Sequence, residues 1–327
     1  MGAKGQQRPQ YPSWKEPAKS FVKAYAYQSV VGCSLLTVAF FKTHVEVVAR
    51  LRTYGLSDQW IFTIILSVSH TFVYLVVNGF MSSGWPSLEQ FKFKRTPGQT
   101  PSQSLINSAL LTAVVSHLVS SPVMTYFLWP VFRSIGLKDL DAPLPSWADL
   151  AATYFLAHAF NDLGFYWTHR LLHTPLFYKT VHKQHHEFAG SLGIAAEYAH
   201  PFEVLLSNVL PSLGGAVFPI GGSQHPLCVV VWLSMRLYQT YCAHGGMVFK
   251  GTILETIGFD HAESACFHDH HHTSNKGNYG SMVTDWLFGT MDDYVLGGGA
   301  QGYASKNGVS FGQVEATKAK GRRAKAQ

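Results

Sequence analysis

The sequence predicts an all-α, polytopic helical membrane protein with four to six membrane segments and a cytosolic histidine-rich di-metal cap. Three observations carry that expectation. Long windows hold no Asp, Glu, Lys or Arg, the 327 residues include an unusual 17 histidines, and many of those histidines gather in three short boxes. A mean hydropathy of +0.06 conceals the windows, because it averages them with polar stretches. Abundant aromatic residues exclude a disordered chain. The four cysteines, Cys33, Cys228, Cys242 and Cys266, form no CxxC pair and lie in apolar surroundings, which excludes a disulfide scaffold and a cysteine zinc site. A net charge of +6 without basic clustering gives no nucleic-acid signature.

A leader over 1–23 is polar and flexible, and cytosolic in this scheme. The region 24–144 is the N-terminal transmembrane part, 145–296 the catalytic part, and 297–327 a polar basic tail. Uncharged windows run from Ala24 to Phe41, Gln59 to Leu88, Thr96 to Phe132 and Val204 to Met235. A fifth, Leu150 to Asn161, continues past Asp162 to Trp167. Such lengths meet the requirement for a membrane helix, whereas the core helices of soluble enzymes usually keep a charged face. The first window follows a long polar segment and lacks a small-residue cleavage site, so it reads as a retained span rather than a signal peptide. Lys92, Lys94 and Arg95 place the loop after the second span in the cytosol, and Asp139, Asp141 and Asp149 place the next loop in the lumen. The same scheme puts Lys42, Arg50 and Arg52 on the lumenal side, against the rule. Pro122 marks a kink or a hairpin in the third window.

After the fourth span, His169 and His173 form HxxxH, and His182, His185 and His186 form HxxHH. His268, His271 and His272 repeat HxxHH about 80 residues later. Chance supplies an HxxxH in a chain this rich in histidine but not two HxxHH boxes. On a helix, residues three and four apart share a face, so each box aims its imidazoles at one point. Neutral imidazole is a ligand for iron and zinc. Eight such rings are too many for one metal and imply a pair about 4 Å apart.

A zinc protease needs Glu after the first histidine of HxxxH, and Arg170 and Lys183 stand there instead. A two-histidine, one-carboxylate iron site is disfavoured because the boxes carry few carboxylates besides Asp269. Zinc-storage tracts are low in complexity, unlike these boxes. Two short apolar arms, Val204 to Ile220 and His225 to Ala243, are separated by Gly221, Gly222 and Pro226 and return the chain to the same side as a hairpin or re-entrant pair. His244, at the end of the second arm, is a further ligand. His200 is a ligand candidate or a supporting group. His270 points away from its box neighbours, His261 is ambiguous, and His44, His70, His117, His158 and His225 read as span or loop residues. Asp162, Glu197 and Asp269 are candidates to receive the second N–H of bound imidazoles, or to serve helix ends.

The run HRLLHTPLFYKTVHKQHHEF, followed by AEYAHP, a lone histidine after Ala243, FHDHHHTSNKGNYGS and WLFGT, resembles the fatty acid hydroxylase and sterol desaturase superfamily. Within it the sequence looks most like the C-4 methylsterol monooxygenases, over roughly residues 145 to 295. The resemblance implies a multi-pass endoplasmic reticulum enzyme whose active site faces the cytosol. It implies two iron ions and electrons passed from NAD(P)H through cytochrome b5 and its reductase. The implied reaction is the O2-dependent oxidation of a C-4 methyl group on sterol intermediates. His169, His173, His182, His185, His186, His268, His271 and His272 correspond to the iron ligands, with His244 and His200 completing the set. Gly245 and His270 depart from the branch, where serine and an aromatic residue are usual, and the C-terminus lacks a dilysine signal. Attack on an unactivated C–H bond needs a redox-active metal, which zinc is not. Phe155, Phe160, Phe165, Tyr166 and Trp167 offer an apolar wall to a bilayer-dissolved substrate, or interfacial anchors. The alternatives are a sister hydroxylase or desaturase acting on fatty acyl, sphingoid or other sterol substrates and, in a different class, a zinc-binding membrane hydrolase or transporter.

Overall fold

The computed structural model describes residues 22–212, 224–250 and 262–309, with a few isolated positions outside them. Most of the leader, the tail from 310, the end of the first arm with Gly221 and Gly222, and His261 lie outside the described residues. Among the described residues there is no strand, only one antiparallel bridge between Lys92 and Met247.

Helix α1 (Gly32–Thr53) and helix α2 (Asp58–Met81) are joined by a short turn. Ser57 starts α2 by accepting the Trp60 N–H, and Asp58 adds a negative charge at the positive end of the helix dipole. Helix α3 (Gln103–Val115) is capped by Ser102 and runs through a π-helical turn, Ser116–Ser120, into helix α4 (Ser121–Ser134). The wide turn ends just before Pro122, whose ring and missing N–H a regular helix does not accommodate. Pro122 therefore marks an interruption in a continuing helix and not a hairpin. Helix α5 (Trp147–Leu172) starts at Ser146 and extends beyond Trp167, so it carries the first histidine box. Helix α6 (Pro226–His244) packs against α2, α1 and the box-bearing helix α7 (Ala262–Ser274).

Three helical stretches are long and apolar enough to cross a membrane: Ser29–Thr53, Asp58–Met81 and Pro97–Ser134. Their outward faces carry large apolar side chains in helical register. Val68, Phe72 and Leu75 form one such stripe and Leu111, Val115 and Leu118 another, with Phe72 65% and Leu118 72% exposed. Burying a side chain of this size is worth roughly 1.5–3 kcal/mol, and contiguous stripes this large belong against lipid. The chain is a membrane protein. Helices α5 and α6 fall outside the three stretches because of polar residues such as Asn161, Asp162, Arg236 and Gln239, which line an internal chamber.

One of the three basic residues that run against the charge rule is paired with two acids. Arg52 binds the carboxylates of Asp58 and Asp141, at 3.0 and 2.9 Å, so its charge is offset locally. At the other end, Arg95 makes two hydrogen bonds to Asp269, of 2.7 and 2.8 Å, putting the loop after α2 on the same side as the histidine boxes. His44 and His225, read from the sequence as span or loop residues, bond to the backbone carbonyls of Leu140 and Ala142.

Candidate metal centre

The three boxes and His244 converge from four places. His169 lies in the last turn of α5 and His173 caps it, while His244 ends α6. Box three is α-helical as expected, but box two is a 3₁₀ turn, His182–Glu187, rather than the expected helix. The nine imidazoles form two groups. His169, His173, His182, His186 and His271 make one, and His185, His244, His268 and His272 make the other.

This division gives HxxHH its geometric logic. In box two the outer pair, His182 and His186, enters the first group while His185 enters the second. In box three the outer pair, His268 and His272, enters the second group while His271 crosses to the first. Each HxxHH box thus feeds both groups, whereas the HxxxH box feeds one.

Proton placement shows that the groups suit cations. His169 Nδ1–H donates to the Tyr279 carbonyl at 2.5 Å and His271 Nδ1–H to the Gly277 carbonyl at 2.6 Å. His244 and His272 donate likewise to the Thr240 and Phe188 carbonyls, at 2.8 and 3.1 Å. A carbonyl only accepts, so in these neutral rings Nε2 carries a bare lone pair. Those Nε2 atoms face inward: His271 lies 3.1 Å from His173 and 3.2 Å from His186, and His268 lies 2.8 Å from His244. Six ligands about 2.1 Å from a metal would stand about 3.0 Å from their neighbours. Burial, reinforced by neighbouring rings, holds His268 and His272 well below the ordinary histidine range. Burial also pushes His182 and His271 down to about 3. All four are therefore neutral near pH 7, as ligation requires.

Two of the expected carboxylates, Asp269 and Glu197, meet partners outside the boxes. His200 stands outside both groups: its Nδ1 accepts the Phe202 N–H and caps the helix Pro201–Glu203. Asp269 is fully buried, but its contacts are Arg95, the Ser191 N–H and the Tyr303 hydroxyl rather than a ligand histidine. Glu197 sits with His70 and His117, two histidines expected to be ordinary span residues, in a third group. Asp162 lines the chamber and accepts from Ser281, the cap of helix α8 (Met282–Phe288).

A carboxylate that reaches a box imidazole was not foreseen. Glu203 Oε1 lies 2.9 Å from His182 Nδ1. Its signal was available, since Glu203 is the last charge before the window opening at Val204, and an acid at such a border is costly without a partner. Asp285 was also missed. It accepts the N–H groups of Tyr279 and Gly280, at 2.9 and 2.7 Å, and shapes the turn that presents the Tyr279 carbonyl to His169. Gly277 lies in that segment with φ 63°, where a Cβ would come within 2.3 Å of the Thr290 carbonyl oxygen. His270 packs against Tyr294 and Tyr303, away from both groups. At Gly245 a Cβ would meet the end of Met81, which takes the room a serine side chain would need.

Both groups border a chamber of about 200 Å³ whose lining includes His169, His185, His244, His268 and Asp162. Asn161, Ala199, Asn208, Arg236 and Thr240 belong to its wall and also to that of a second cavity of about 680 Å³ among the apolar helices. The larger cavity has the size and apolar lining of a small-molecule site.

The fatty acid hydroxylase family model matches residues 154–290, which include all nine grouped histidines. Methylsterol monooxygenase 2-2 of Arabidopsis thaliana is 31% identical over 68% of this chain and 79% of its own length. The chain belongs to the fatty acid hydroxylase family. Methylsterol monooxygenase 2-1 of the same plant is 36% identical over 51% of this chain and 65% of its own length. A very-long-chain aldehyde decarbonylase of Oryza sativa subsp. indica is 36% identical over 66% of this chain and 82% of its own length. No solved structure matches. Membership makes the chain an oxidoreductase of an iron-dependent family, related both to methylsterol monooxygenases and to aldehyde decarbonylases.

Proposed function

We propose that this family member is a di-iron methylsterol monooxygenase that oxidises the C-4 methyl group of sterol intermediates. The observation that carries the reading is the sorting of nine histidines into two adjoining groups beside an apolar, lipid-sized cavity. The five-ring group would hold one iron and the four-ring group the other. Bound there, the iron pair would supply the redox chemistry with O2 that an unactivated C–H bond demands.

The protein's own residues bind and position. The backbone carbonyls of Tyr279, Gly277, Phe188 and Thr240 hold four rings in the tautomer that turns Nε2 inward. Glu203 places its carboxyl group 2.9 Å from His182 Nδ1. The apolar cavity takes the ring system of a substrate arriving from the bilayer. The wall shared with the chamber offers Asn161, Asn208, Arg236 and Thr240 to the hydroxyl that neighbours C-4 in a sterol.

Electrons would come from NAD(P)H through cytochrome b5 and its reductase, on the cytosolic face of the endoplasmic reticulum. The basic loop at Lys92, Lys94 and Arg95 supports that orientation, since Arg95 ties it to the boxes. Lys179, Lys183 and Lys276, exposed within or beside the boxes, suit an acidic electron carrier.

The decarbonylase relative favours one second reading, a long-chain aldehyde or acyl substrate for the same metal pair. A sterol profile of cells lacking the protein separates the two. Accumulation of 4,4-dimethylsterols, reversed by the wild-type chain, is the expected result. An unchanged sterol profile with altered long-chain lipids would overturn the sterol reading.

A further inference from the structure

The third group lies away from the boxes, and three separate elements build it. His70 comes from α2, His117 from the π-helical turn between α3 and α4, and Glu197 from the 3₁₀ turn Gly193–Glu197. His70 Nε2 donates to Glu197 Oε1 at 2.9 Å, a hydrogen bond whose proton a metal would displace on binding, and His117 Nε2 is 3.3 Å from Oε2. All three side chains are close to nine-tenths buried or more, with exposures of 12%, 6% and 10% for His70, His117 and Glu197.

The protons around His117 can be placed. Thr71 Oγ1 gives its hydrogen to the Ser67 carbonyl at 2.9 Å, so at its 3.1 Å contact with His117 the ring Nδ1–H must be the donor. In the neutral ring Nε2 is then a bare lone pair, and it faces a carboxylate oxygen. Neither His117 Nε2 nor Glu197 Oε2 makes a hydrogen bond among the described residues. An imidazolium at His117 would pair with the carboxylate at 3.3 Å, but the two atoms do not meet with the alignment of a hydrogen bond. Two electron-rich atoms facing each other in a buried site call for a cation.

A metal satisfies both. Nitrogen and oxygen ligands at about 2.0–2.2 Å from a metal stand roughly 2.8–3.6 Å apart, from octahedral to tetrahedral angles, a range that includes the 2.9 and 3.3 Å spacings here. The arrangement also includes outer contacts typical of metal ligands. Thr71 and Ser121 meet the Nδ1 atoms of the two rings, and the Tyr241 hydroxyl donates to Glu197 Oε1. A π-helical turn is itself a device that often marks functional positions.

We propose that His70, His117 and Glu197 form a third metal site, separate from the two box groups, for a divalent cation of the zinc class. Three protein ligands leave a coordination position, and His70, Glu197, Ser121 and Tyr241 line the 680 Å³ cavity. The ion clamps α2, the α3–α4 interruption and the segment following box two, and so shapes the wall of that cavity.

The test titrates the purified, metal-stripped full chain in detergent with Co2+ alone and follows its visible absorption. Glu197→Gln and His117→Gln are each expected to bind one equivalent less than wild type. Equal uptake by wild type and both variants would overturn the site. Anomalous scattering from zinc-soaked wild-type protein needs no variant and guards against misfolding. A peak between His117 Nε2 and Glu197 Oε2 is expected, and no peak there overturns the proposal. Both readings are independent of which metal the boxes hold and of the substrate assigned above.

Discussion

His271→Ala abolishes substrate oxidation, by more than about a hundredfold, while the protein still inserts and purifies. His271 leaves its own box to join the five-ring group, where its Nε2 lies 3.1 Å from His173 and 3.2 Å from His186. Loss of a residue that only supports a ligand typically costs 10–100-fold in metal affinity or activity, and loss of a ligand costs more. The effect on folding is smaller. His271 lies in the last turn of α7, and Asp269, which ties that helix to Arg95 and Ser191, stays in place. Turnover with purified variant, reductant and O2, beside metal content per chain, checks this. Retained turnover would remove His271 from the ligand set.

Arg95→Met lowers the unfolding free energy by about 3–5 kcal/mol, the cost of leaving one partner of a buried ion pair uncompensated. Asp269 is fully buried, and Arg95 supplies two of its hydrogen bonds while also donating to the Ser191 carbonyl at 3.0 Å. The Ser191 N–H and the Tyr303 hydroxyl remain, but neither carries a charge to offset the carboxylate. Because Asp269 shares its helix with His268, His271 and His272, metal retention falls along with stability. Chemical denaturation in detergent, followed together with metal release, measures both. An unchanged midpoint would show that the pair contributes no net stability.

What the sequence made legible was local. A charge-free window identifies a buried or lipid-facing helix, because the property belongs to the residues within it. The HxxHH spacing brings imidazoles together for the same reason, and all eight box histidines plus His244 meet in two groups that could hold metal ions. Box two keeps its clustering although it is a 3₁₀ turn, since His182 and His186 still meet in one group.

Long-range partnership was less legible. Asp269 and Glu197 lie near boxes in sequence, yet Asp269 pairs with Arg95, 174 residues away, and Glu197 with His70, 127 residues away. Glu203 reaches His182 because the chain doubles back after box two, a turn that no periodicity reports. His200 was read by residue type, but it precedes Pro201, and a residue in that position adopts extended backbone suited to capping. The span count shows the converse effect. Helices α5 and α6 carry polar residues for the chamber, which lowers their hydropathy below that of the three clear spans.

Iron content of the purified wild-type chain, measured together with O2 consumption in the presence of reductant and a 4,4-dimethylsterol, tests the central claim most directly. The account predicts two irons per chain at the box groups and sterol-dependent O2 uptake. Zinc alone in the box groups, with no O2 consumed by protein reloaded with iron, would contradict it.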